Sequence, residues 1–160
     1  MRKIAVALAM MLPAATVATT LATTLATTLA AMIAMPLARA GETPAPADAK
    51  VYFINLKDGD TVTSPVIIRF GLSGMGIAPA GTESPNTGHH HLIIDAKIEG
   101  EALNEAIPAD EHHIHFGKGQ TEATVTLPKG SHTLQLVLGD WSHIPHKPPV
   151  MSDRITVNVE

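Results

Sequence analysis

From Val51 to the C-terminus, apolar and polar residues alternate in short runs separated by glycine, proline and aspartate. A period of two puts neighbouring side chains on opposite faces, so the pattern predicts β-strands rather than helices. The first strand is expected over 51–56, closed by the turn Lys57-Asp58-Gly59-Asp60. Val66, Ile68, Phe70 and Leu72 then share one face across 65–72, with Arg69 on the other. A loop rich in glycine and proline over 73–88 leads into a strand that opens His89-His90-His91 and continues Leu92-Ile93-Ile94. The acidic stretch 96–111 reads as a connection with one helical turn over 101–106. Short strands follow over 112–116 and 122–127, the latter turning Ala123, Val125 and Leu127 inward. Pro128-Lys129-Gly130 turns the chain into a strand over 131–138, where His132, Leu134, Leu136 and Leu138 form one row. The last strand, 155–159, places Ile155, Val157 and Val159 inward. About seven strands fit a single antiparallel β-sandwich.

The first forty residues follow a different pattern. A basic start, Met1-Arg2-Lys3, precedes an uncharged run over 4–37, and Ala38-Arg39-Ala40 is a small-x-small cleavage pattern. Residues 1–40 are therefore expected to be a signal peptide, and the protein periplasmic or secreted. The uncharged run, with TTLATTLATTLA in its middle, is also long enough for a retained anchor. Threonine dilution, Pro13, Pro36 and the cleavage pattern favour removal, which leaves no membrane span. Residues 41–49, GETPAPADA, read as a flexible linker, and 50–160 as one domain.

Charge narrows the partners. Beyond residue 40, eight Lys and Arg face fifteen Asp and Glu, a balance that opposes the phosphate backbone and excludes nucleic acid. The absence of cysteine removes disulfides and thiolate metal sites, so any metal must be held by His, Asp, Glu or Met.

All nine histidines lie between His89 and His146. With Leu92 and Ile94 inward, His89 and His91 share the opposite face about 6.7 Å apart along the strand, close enough for both rings to reach one ion. In EHHIHFG, Ile114 and Phe116 inward leave His113 and His115 as a second pair of the same kind. If the strands pair with His89 and His91 opposite His113 and His115, four imidazoles form one cluster. His143 and His146, in the proline-rich loop GDWSHIPHKPPVMS, would close it. Met75 and Met151 would favour copper if they came near, but each reads first as packing. His132, at a tight corner, is expected to hydrogen-bond backbone, and His90 to be a rim or core residue. Asp95 and Asp140 are candidates to orient the imidazoles.

LPKGSHTLQLVLGD resembles the corner before the penultimate strand of immunoglobulin-like domains, with His132 where a tyrosine commonly sits, and implies an immunoglobulin-like sandwich. VYFINLKDGDTVTSP, FGLSGMGIAPAG, NTGHHHLIID, HHIHFGKGQTE and LVLGDWSHIPHKPPVMS, in that order, resemble a bacterial secreted family catalogued as domain of unknown function 4399. The resemblance runs from Val51 to Val159 and implies a small exported histidine-rich domain without assigning it an activity.

The expectation is an exported β-sandwich that binds copper or zinc through His89, His91, His113, His115, His143 and His146, to carry, buffer or sense the ion. Neutral imidazoles would release it as pH falls through about 6.5. The alternative is a non-catalytic structural or interaction module, with an envelope protein as partner and a pH-responsive histidine patch. A metal-dependent enzyme ranks last: no G-x-S-x-G, H-E-x-x-H or glycine-rich phosphate loop is present, and no general base can be named.

Overall fold

The structure, a computed structural model, describes residues 43–160; the expected signal peptide, 1–40, lies outside the described residues. The strands run β1 (Lys50–Phe53), β2 (Thr61–Val62), β3 (Val66–Ser73), β4 (Gly76–Ile77), β5 (Thr87–Ile94), β6 (His113–His115), β7 (Glu122–Val125), β8 (Gly130–Gly139) and β9 (Ile155–Val159). Seven are the strands expected from the alternation, and β2 and β4 are two-residue additions. The expected helical turn is a short 3-10 helix over Gly100–Asn104. Among the described residues, no helix is long and apolar enough to cross a membrane.

The strands form two sheets, β1-β3-β7 and β2-β9-β8-β5-β4, with β6 paired to β5. The order matches an immunoglobulin-like sandwich: β1, β3 and β7 take the places of strands A, B and E, while β5, β8 and β9 take those of C, F and G. β6 adds to the edge of the C strand, as in variable-type domains. The core is built as the period of two requires. Val51, Val66, Ile68, Phe70 and Val125 of one sheet meet Leu92, Ile94, Leu134, Leu136, Leu138 and Val157 of the other.

The second face of β5 departs from expectation. Read as solvent-facing, it is buried, and seven of the strand's eight residues are inaccessible. The 96–111 connection folds back over it, so Ile93 and Val137 pack with Ile98 and Ile107, and Ala96, Leu103 and Met151 fill in around them. This small second core roofs the strand that carries the histidines.

Part of the stretch read as a linker also makes defined bonds. Pro44 bridges Lys147 in parallel; Ala45 N–H donates to the Lys147 carbonyl at 3.0 Å, and Lys147 N–H to the Thr43 carbonyl at 2.9 Å. The backbone at 43–45 is thus bound to the loop after β8.

Candidate metal centre

His89 and His91 enter the site from β5, which is hydrogen-bonded on both sides. β8 places Gly139 opposite His89 and Val137 opposite His91, and β6 places His115 opposite His91 and His113 opposite Ile93. Residues directly opposite in an antiparallel pair share a face, so His89, His91 and His115 converge. His143 arrives from the loop after β8. Its backbone has φ of 73°, a left-handed conformation uncommon for a non-glycine residue, though histidine adopts it more readily than most.

What holds it is Asp140. Its Oδ1 accepts Ser142 N–H at 2.8 Å, Ser142 Oγ–H at 3.0 Å and Ile144 N–H at 2.9 Å, and its Oδ2 accepts Thr43 Oγ1–H at 2.6 Å. His143 N–H donates to the Asp140 carbonyl at 3.0 Å, while the His143 carbonyl accepts Ile107 N–H at 2.9 Å. Burial pushes the Asp140 carboxyl upward, but the bonds from Thr43, Ile144 and Ser142 outweigh it and hold the group below its ordinary value, as an anion.

The four rings form a compact group. Their centroid separations are 4.9 Å (His89–His91), 5.0 Å (His89–His115), 5.0 Å (His89–His143), 5.0 Å (His91–His115), 6.0 Å (His91–His143) and 4.7 Å (His115–His143). One ring nitrogen each from His89, His115 and His143 lies within 4.8 Å of the others, a set that can hold a metal ion. The Nε2 atoms of His89 and His91 are 3.1 Å apart. Two nitrogens bound to one ion at 2.0–2.1 Å stand about 2.9–3.4 Å apart, so this pair already has ligand spacing.

Hydrogen bonding within the protein leaves the cluster unsatisfied. His89 Nδ1, His91 Nδ1 and His115 Nε2 are buried without a partner, and each such atom costs about 1–3 kcal/mol unless something binds it. Burial, followed by the neighbouring imidazoles, lowers the His89 pKa to about 4 and that of His91 to about 2. Burial and then His143 lower that of His115. Neutral imidazoles are the metal-binding form.

Glycine makes room where the rings sit. A Cβ at Gly139 would stand 2.8 Å from His91 Nε2, and one at Gly117 would overlap the His115 ring. These glycines, Thr43 and Ile107 were not singled out as functional in the sequence. For the loop, a signal was available: an aspartate followed by a serine two residues later is a familiar turn-former whose carboxylate collects backbone N–H groups.

Two proposed ligands lie elsewhere. The expected facing of both histidine pairs fails by two residues of register: Ile114 pairs with Leu92 to bury its side chain, which sends His113 opposite Ile93. There His113 Nδ1 bonds Asp110 Oδ1 at 2.8 Å. His146 is fully buried, with Nδ1 3.3 Å from the Leu138 carbonyl and Nε2 3.1 Å from the Thr87 carbonyl. Both its nitrogens face backbone carbonyls, and an N–H donated to one of them fastens the ring between β8 and the start of β5. Asp95 does not orient His91; it holds His132 Nδ1 at 2.6 Å and Thr133 N–H at 2.7 Å. His132 Nε2 reaches the Pro128 carbonyl at 3.0 Å, the backbone bond expected of it. His90 is a core residue, with its ring 5.1 Å from that of Phe70. Met75 and Met151 pack against the two apolar cores.

A family model described as a domain of unknown function (DUF4399) matches residues 68–160. No curated protein and no solved structure matches the chain.

Proposed function

For this chain, which belongs to the DUF4399 family, we propose that it is an exported metal-binding β-sandwich. It holds one copper or zinc ion on His89, His115 and His143, with His91 as fourth ligand, in order to carry, buffer or sense it. Export rests on the sequence of residues 1–40. The observation that carries the metal reading is the convergence of four imidazoles, with His89 Nε2 and His91 Nε2 at ligand spacing and His115 Nε2 buried without a partner inside the protein. A cation gives the His115 Nε2 lone pair a partner and offsets the cost of burying it. A surface patch of histidines would leave the rings in water, whereas His89 and His91 are 0% exposed.

Titration of the metal-free, untagged protein with Zn(II) and Cu(II), followed by calorimetry and Trp141 fluorescence, tests the reading. One equivalent should bind. His115→Ala and His143→Ala should each weaken affinity by at least the 10–100-fold seen when a supporting residue is lost. His113→Ala should bind as the parent does. Equal affinity in all three variants would overturn the assignment.

A further inference from the structure

The arrangement of the rings carries information about which ion they suit. Four ligands at the corners of a square have four short separations and two long ones, the diagonals, each about 1.4 times the edge. The diagonals join disjoint pairs of ligands, whereas a tetrahedron makes all six separations equal. With each ring centroid marking the direction from which its ligand atom would approach, the longest centroid separation is His91–His143 at 6.0 Å, and the pair disjoint from it, His89–His115, stands at 5.0 Å. The remaining four fall between 4.7 and 5.0 Å. With edges of that length a square would need both diagonals near 7 Å; neither reaches it.

The scaffold keeps the rings from flattening into a plane. His89 and His91 are two residues apart on a strand bonded along both edges, and His115 is fixed opposite His91 by β6. Making His89 and His115 diagonal partners would require β6 to slide along β5, which the pairing of Ile114 with Leu92 opposes. Only His143 sits on a loop, and the Asp140 bonds hold that loop. The gathered donors are all imidazole, a ligand that suits zinc and copper alike, so geometry rather than donor softness is left to discriminate.

We infer that the site is shaped for a tetrahedral, closed-shell cation, Zn(II) or Cu(I), and works against ions that prefer a square plane, Cu(II) and Ni(II). This rests on the metal-binding reading above and adds the class of ion. If the protein handles copper, it holds the cuprous form more tightly than the cupric.

The experiment uses untagged protein as processed by the cell, stripped of metal and loaded separately with Co(II) and with copper. Bound Co(II) should give the intense visible absorption of a tetrahedral complex. The Cu(II)/Cu(I) potential of bound copper should lie above that of the free ion. A tenfold preference for Cu(I) raises it by about 59 mV. A weak, octahedral-type Co(II) spectrum, or a copper potential below that of the free ion, would overturn the inference while leaving metal binding intact. Failure to bind any of these ions would remove the metal reading and this inference with it. Zinc binding of higher affinity than Cu(I) would identify zinc as the ion within the class; the reverse order would identify cuprous copper.

Discussion

At the scale of the single residue, the candidate site is shaped as much by what is small as by the imidazoles themselves. Gly139 lies opposite His89 on β8, and a methyl group there would press on the His91 ring. Gly117 leaves the space that the His115 ring fills. Gly139→Ala should therefore weaken zinc binding by about tenfold or more, because ligand rings must be held within a fraction of an ångström of productive geometry. Calorimetric titration reads the affinity, and circular dichroism checks that the sandwich remains. His132 illustrates the opposite case, a histidine whose bonds to Asp95 and Pro128 make it structural. The Asp95 bond, foremost, raises its pKa, whereas burial lowers those of His89 and His91. Side chains of one type thus take opposite roles through their surroundings.

At the scale of elements, three separate pieces of chain converge on His143: the Asp140 turn, Ile107 of the 96–111 connection, and Thr43 ahead of β1. Thr43→Val, which deletes the hydroxyl donated to Asp140 and keeps the side chain's shape, should lower zinc affinity several-fold with little change in the fold. Asp140→Asn, which weakens acceptance from Ser142, Ile144 and Thr43 together, should lower it by about 10–100-fold, the range for residues supporting metal ligands. Unchanged affinity in both variants would show that the loop holds its shape without the clasp. Strand positions and inward faces were legible in the sequence because a period of two leaves little choice once one face is buried. That His89 and His91 share one face of their strand, and His113 and His115 one face of theirs, was legible for the same reason. The pairing of β5 with β6 was not, since Ile114 meeting Leu92 and Ile114 meeting His90 both satisfy the alternation. That two-residue difference decides whether His113 or Gly117 completes the row. Nor was the roof over β5 legible: Ile98, Leu103 and Ile107 are spread through an acidic connection with no strand-like period.

For the whole molecule, burying neutral histidines ties stability to pH. The unfolded chain binds protons on these rings near pH 6.5, whereas folded His89 does so only near 4. Between those values the unfolded state carries more protons, so the histidines oppose folding increasingly as pH falls through 6.5 toward 4. The metal-free protein should lose stability over that window, by about 3 kcal/mol from His89 alone. Chemical denaturation at pH 7.5, 5.5 and 4.5 would measure it, and a flat profile would contradict the burial argument. Low folded-state pKa values at His89, His91 and His115 also move proton competition with a metal below the ordinary histidine range, so release on acidification is expected later than pH 6.5 for these ligands. The claim on which this rests is that imidazoles from β5, β6 and the loop after β8 meet on one ion. X-ray absorption fine structure of the zinc-loaded protein tests it most directly: nitrogen at about 2.0–2.1 Å with outer-shell scattering from three or four imidazoles is predicted, and a shell of oxygens with one imidazole or none would contradict it.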